Sequence, residues 1–152
     1  MTQISTRLAT ADDVDALAVL FDAYRRFYQQ AADLPRASAF IRERLVRHQS
    51  VVFVAESASG EMLGFCQLYP SFCSLVAAPI VILNDLFVLP AARKLGAGAA
   101  LLQAAEAFAR AQHFARMELT TAKTNLTAQS LYASQGWQRD EVYYAYNKVL
   151  SD

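Results

Sequence analysis

The run Ile80-Val81-Ile82-Leu83-Asn84-Asp85-Leu86-Phe87-Val88 is apolar except at Asn84 and Asp85. A strand of that composition has to be covered on both faces, as strands in layered α/β folds are. Seven residues later the chain reads Gly96-Ala97-Gly98. A helical pattern follows over 98–112, with Leu101, Leu102, Ala105, Phe108 and Ala109 on one face. A buried strand, a glycine-rich loop and an amphipathic helix in that order require a sheet with helices packed on it.

The flanks supply the other elements. Ile4, Thr6 and Leu8 alternate with polar residues and predict a strand over 3–8. Thr10 and Asp13 have capping-box spacing before a helix carrying Val14, Leu17, Phe21, Tyr24 and Tyr28. Asp33 and Pro35 read as a break over 31–37, with a second helix over 38–48 that buries Phe40, Ile41, Leu45 and Val46. A hairpin is predicted from 51–56 and 62–69 around the turn chemistry of 57–61. Pro70 and Pro79 bracket a stretch that either loops out or extends those strands. Beyond the glycine loop come a strand over 116–121, a helix over 125–134 closed by Gly136, and strands over 137–139 and 143–149. No repeat or linker divides the chain, so the expectation is a single mixed α/β domain over 1–152.

Composition narrows the function. With 55% hydrophobic and 18% charged residues the chain is globular. Lys plus Arg and Asp plus Glu are 14 each, and a net charge of zero argues against a general nucleic-acid partner. Cys66, Cys73, His48 and His113 lack the spacing of a metal site or disulfide framework, so reduced thiols and no metal are expected. The apolar stretch over 75–83 contains Pro79 and is too short to span a bilayer, so no membrane partner is expected. The first ten residues lack the apolar core of a signal peptide, and a cytoplasmic location is expected.

The glycine loop carries the chemistry. Free amides at a helix start attract an anion, the helix dipole adds to this, and glycine lets a ligand approach the backbone closely. Phosphate or pyrophosphate is the expected ligand. A Walker A loop is absent. A dinucleotide fingerprint begins at Gly96-Ala97-Gly98, but Leu101 occupies its third glycine position and the loop lies too far from Val88. The remaining pattern is [QR]-x-x-G-x-[GA], met by Arg93-Lys94-Leu95-Gly96-Ala97-Gly98.

At that loop the sequence resembles the GNAT superfamily of N-acetyltransferases. A second stretch, Asn125-Leu126-Thr127-Ala128-Gln129-Ser130-Leu131-Tyr132-Ala133-Ser134-Gln135-Gly136-Trp137, is similar to the family's N-x-x-A-x-x-L-Y-x-x-x-G-[FW] helix. The order of elements also matches. The resemblance implies a mixed, mostly antiparallel sheet with a splayed parallel central pair, 80–88 and 116–121, flanked by about four helices. It implies acetyl-coenzyme A as cosubstrate and a primary amine of a small molecule or peptide as acceptor, with direct transfer in a ternary complex. The run 83–88 also looks like the histone or polyamine acetyltransferase-like subgroup.

The same resemblance assigns roles. Leu86, Phe87 and Val88 would meet pantetheine through their backbone. Arg93 and Lys94 would flank the pyrophosphate, with the amides of Leu95, Gly96, Ala97, Gly98 and Ala99 closest to it. Asn125, Ala128, Leu131 and Tyr132 would face the cofactor from their helix. Tyr132 is the expected general acid, because a phenol of pKa about 10 suits protonation of a thiolate. For the general base there are three candidates: Asp85, whose pKa burial would raise, Glu118, or a water chain. Tyr24, Tyr28, Tyr69, Phe72, Tyr143, Tyr144 and Tyr146, with Asp140 and Glu141, are candidates for an acceptor site suited to a cation. A noncatalytic acyl-coenzyme A-binding module is the alternative function. The apolar, tyrosine-rich C-terminus makes a homodimer possible.

Overall fold

The computed structural model describes residues 3–151; Met1, Thr2 and Asp152, at the ends of the expected domain, lie outside the described residues. Five strands form one sheet in the order β1-β2-β3-β4-β5, namely β1 (Ile4–Leu8), β2 (Val51–Ser57), β3 (Met62–Cys73), β4 (Ala78–Val88) and β5 (Met117–Glu118). Neighbours pair antiparallel except β4 and β5, which are parallel. The four α-helices are α1 (Val14–Phe27), α2 (Leu34–Val46), α3 (Ala97–Ala111) and α4 (Leu126–Ser134). This is the single-domain α/β architecture expected from the sequence.

Strand alternation divides the core into two layers. Val52 and Val54 of β2, with Phe65 and Phe87, meet Val14, Leu17, Phe21, Ala37 and Ile41 of α1 and α2. Phe53 and Ala55 of the same strand, with Cys66, Leu68, Val81 and Leu83, meet Leu101, Leu102, Ala105 and Ala109 of α3. Each fully buried Leu, Ile or Phe contributes about 1.5–3 kcal/mol. The sheet is thus held from both sides near the strand that carries the site. At Thr10 the expected capping box forms, the Asp13 carboxylate accepting from the Thr10 backbone N–H at 2.7 Å.

Several boundaries differ from the sequence expectation, each for a local reason. Helix α2 begins at Leu34 rather than 38, because Asp33 caps it by accepting from the Arg36 amide at 3.1 Å and Pro35 sits in its first turn. Proline lacks only an N–H that the first turn leaves unpaired anyway. Phe40 and Val46 are exposed, and the helix buries Ala37 and Ile41. The stretch between Pro70 and Pro79 extends the strands, so β3 and β4 form a long hairpin pairing Cys73 with Ala78. The strand expected over 116–121 contracts to two residues. The strands expected over 137–139 and 143–149 are absent: that segment has strand composition but no strand beside it. A strand exists only through its ladder, so propensity alone did not form one.

Candidate active site

The ladder between β4 and β5 is short, pairing Val81 with Met117 and Ile82 with Glu118. From Leu83 to Val88 its β3 edge is paired, whereas the edge facing α4 carries no strand among the described residues. The divergence begins at a β-bulge: Gln67 pairs with Asp85 and Leu68 with Leu83, which leaves Asn84 as the extra residue. A bulge re-aims side chains and interrupts a ladder. Here it places Leu83 and Leu86 on the α3 side and turns Asp85 toward α1.

Asp85 is 4% exposed and Gln67 is 0% exposed. Gln67 Nε2 donates to Asp85 Oδ2 at 2.6 Å, and Ser50 Oγ donates to Gln67 Oε1 at 2.8 Å. Asn84 Nδ2 donates to Asp85 Oδ1 at 3.0 Å, and the nearby Tyr24 hydroxyl favours the charged carboxylate. Burial raises the Asp85 pKa, and the three donors only partly offset it. Tyr24, which also reaches the Asn84 carbonyl at 3.4 Å, is pushed up by burial and by the Asp85 charge.

At the end of β4 the loop turns into α3. Gly96 stands at the helix N-cap with φ +87°, and no side chain caps the helix. Its first amides are therefore available to an external anion. Lys94 has φ +70° and is exposed. Arg93 does something different from its neighbour. Its Nε donates to the Val88 carbonyl at 3.1 Å, and its guanidinium lies 5.6 Å from the Phe27 ring and 5.8 Å from Phe87. It ties the loop to β4 and α1. Gly98 packs closely on α4: a Cβ there would lie 3.0 Å from Leu131 Cδ2, which would have to shift slightly.

Helix α4 starts at Asn125, whose Oδ1 accepts from the Ala128 amide at 3.1 Å. About two turns later Tyr132 is half-buried, with its ring 6.2 Å from Trp137. Burial pushes its phenol up to about 12, so it stays protonated throughout the neutral range. Tyr132, Tyr24, Tyr28, Asn84, Leu86 and Thr120 share the lining of one cavity of about 150 Å³ at the mouth of the β4–β5 divergence.

The comparisons with known proteins agree with that geometry. The family described as "Acetyltransferase (GNAT) family" matches residues 17–137. The chain belongs to this family. An uncharacterized N-acetyltransferase, YhfO, of Bacillus subtilis is 45% identical over 146 residues, covering 95% of this chain and 97% of the relative. An aminoglycoside N(6')-acetyltransferase type 1 of Klebsiella aerogenes is 31% identical over 109 residues, covering 69% of this chain and 70% of the relative. A crystal structure of a probable acetyltransferase superposes with TM-score 0.90 at 38% identity, over 99% of both chains.

As a GNAT acetyltransferase, the chain gathers some of the residues singled out from its sequence and leaves others apart. Tyr132, Leu86, Tyr24 and Tyr28 meet at the cavity. Asp85 sits behind it, reaching the lining through Tyr24 and Asn84. Glu118 is held by Arg116, with Oε1 2.6 Å from Nη2. Phe72, Tyr143, Tyr144 and Tyr146 are exposed and contribute nothing to the cavity. Gln67 and Ser50 were not singled out, although a glutamine within the apolar strand Gly64-Phe65-Cys66-Gln67-Leu68 is the signal that marks a buried polar partner. Cys66 is buried, Cys73 is partly exposed, and both are free thiols. Among the described residues no cluster of His, Cys, Asp and Glu could hold a metal ion, and no helix is long and apolar enough to cross a membrane.

Proposed function

We propose that this GNAT protein moves an acetyl group from acetyl-coenzyme A to a primary amine by direct attack in a ternary complex. The observation that carries the proposal is the meeting of the protonated Tyr132 phenol and the open edge of β4 on one cavity. The unpaired edge beside Leu86, Phe87 and Val88 suits an extended pantetheine chain, which would add to the sheet through backbone bonds. The uncapped start of α3, with the amides of Leu95, Gly96, Ala97, Gly98 and Ala99, suits the pyrophosphate. Lys94 adds positive charge there, and Arg93 acts chiefly by anchoring the loop. Asn125, Ala128 and Leu131 would form the α4 wall of the same slot, Leu131 lying against Gly98 at the start of α3.

Acetyl-coenzyme A supplies the activated thioester. Tyr132 donates its phenolic proton to the sulfur as the C–S bond breaks and the C–N bond forms. The proton released by the amine leaves through the Tyr24 hydroxyl to the Asp85 carboxylate, so Asp85 is a base acting through another side chain. Backbone amides on the open edge of β4 stabilise charge on the acetyl oxygen. The acceptor is an aminoalkyl arm of the kind carried by polyamines, lysine side chains or aminoglycosides. A cavity of about 150 Å³ lined by three tyrosines fits such an arm.

The test is Tyr132→Phe. Loss of a general acid should lower kcat by about 10²- to 10⁴-fold with acetyl-coenzyme A affinity nearly unchanged. Full turnover in Tyr132→Phe across the pH range would remove the phenol from the mechanism.

A further inference from the structure

Gln67 is a wholly enclosed amide in a layer otherwise built of carbon. Across the sheet it stands between Val52 of β2 and Asp85 of β4. Along β3 it follows Phe65, on the face that meets α1 and α2. A buried amide costs free energy unless it is hydrogen-bonded, so an apolar residue would serve the packing better. The reason for a glutamine lies in what its two ends hold.

That pairing has a direction. An ionised carboxylate only accepts, so Gln67 turns Nε2 toward Asp85, 2.6 Å from Oδ2. Its Oε1 then faces Ser50, a buried residue just before β2, whose hydroxyl donates to it at 2.8 Å. Ser50 thus fixes the amide the one way round that gives Asp85 a donor. The donor is also neutral. Among the described residues none of the ion pairs includes Asp85. A cation in that place would hold the carboxylate below its usual range and remove its basicity. An amide supports the charge and leaves the group able to take a proton. The titratable groups that feel the Asp85 charge are Tyr24 of α1 and Tyr69 and Cys66 of β3, all kept neutral by burial. Tyr28 and Tyr132 act on Tyr24, and Arg44 of α2 acts on Tyr69.

We infer that Gln67, oriented by Ser50, is a positioning residue that holds Asp85 as a carboxylate turned toward Tyr24, ready for the acceptor's proton. The inference rests on the role proposed for Asp85 in acetyl transfer. The acceptor's N–H bond breaks as the C–N bond forms, its proton passes to the Tyr24 oxygen, and the Tyr24 proton passes to Asp85. Gln67 and Asn84 each occupy one site on the two carboxylate oxygens, which leaves lone pairs free to receive it. Once Asp85 is protonated the amide can turn over, accept from the carboxyl O–H and donate to Ser50. Neither state then leaves a buried polar group unpaired.

The experiment reads Asp85 itself, by carbon NMR of labelled aspartate carboxyls in the full chain, for the parent, Gln67→Leu, Ser50→Ala and Ser50→Thr. Loss of one signal in Asp85→Asn assigns it. In Gln67→Leu the Asp85 titration should move up by about one to two pH units, the size of a lost hydrogen bond to a charged group. Ser50→Ala should move it up by less, and Ser50→Thr, which keeps the hydroxyl, should return it to the parent value. The Ser50 variants leave Gln67 in place, so they carry the test even where Gln67→Leu does not fold. The pH profile of thiol release from acetyl-coenzyme A, with spermidine and a lysine peptide as acceptors, should shift its acidic limb in the same order. The amine's own titration is common to all variants, and KM for acetyl-coenzyme A should not change. An Asp85 titration that ignores both Gln67→Leu and Ser50→Ala would overturn the inference and leave acetyl transfer untouched. Ser50→Thr behaving as Ser50→Ala would overturn the part given to Ser50. A titration that moves beside a rate profile that does not would take Asp85 out of the reaction, and the positioning role with it.

Discussion

Every buried residue among those described lies before residue 110. The core runs from Val14 to Ala109, whereas no residue from Arg110 to Ser151 falls in the buried class. The first region holds the buried core: two layers of helix clamp a sheet whose β3–β4 hairpin is paired along its length except at the Asn84 bulge. The second holds β5, α4 and the tail, and its side chains are at best partly buried. Yet the second carries Tyr132 and Asn125, two of the residues on which the proposed chemistry depends. A rigid body therefore presents β4 and the glycine loop, while the wall opposite is only lightly held. Under the proposed function, bound acetyl-coenzyme A supplies part of that missing cover.

The sharpest way to break the contrast is a pair of truncations. Ile41→Ala, in the first region, should cost about 2–5 kcal/mol because the side chain is wholly enclosed. Leu131→Ala, in the second, should cost about 1 kcal/mol or less without ligand, since its site is already partly open to water. Denaturant unfolding of both variants measures this, and equal losses would erase the distinction between the regions.

Next in size is Gly64→Ala. The added Cβ would sit 2.7 Å from the Phe87 carbonyl oxygen, between β3 and the part of β4 that borders the site. Overpacking of this kind should destabilise by about 1–3 kcal/mol, visible as a lower Tm. An unchanged Tm would show that the hairpin is less rigid than its pairing suggests.

The smallest effect concerns Asp85. Its pKa is raised on folding, so the folded protein retains a proton that the unfolded chain releases. Stability from this group is fully present below the ordinary carboxylate range and is lost as pH rises through the folded-state value. Between those two values the slope approaches about 1.4 kcal/mol per pH unit, and Asp85→Asn should lack it. Denaturation midpoints of both proteins across acid to neutral pH test this. Parallel profiles would mean that the Gln67, Asn84 and Tyr24 hydrogen bonds fully compensate the burial.

What could be read from the sequence divides along the same line between local and distant causes. The glycine loop and the Tyr132 helix are written in contiguous residues, and each was legible. The bulge at Asn84 was not, because it arises from how β3 and β4 align rather than from either strand alone. Simple alternation set Asn84 and Asp85 on opposite faces; the bulge sends Asp85 inward to Gln67 and leaves Asn84 at the cavity. Arg93 is expected beside the pyrophosphate; that rings contributed by α1 and β4 also hold it could not be read from the loop alone. Asp33 and Pro35 looked like a break and instead start a helix. The C-terminal strands failed for the most general reason, since a strand pattern cannot name its partner.

The central claim is acetyl transfer to an amine. It is tested most directly by measuring thiol release from acetyl-coenzyme A against polyamines, aminoglycosides, amino acids and lysine peptides, with product mass as the second readout. Thiol release that requires one of these amines, matched by an acetylated product, is the predicted result. Saturable binding of acetyl-coenzyme A with no amine-dependent release across the panel would contradict it and favour a noncatalytic acyl-coenzyme A-binding protein.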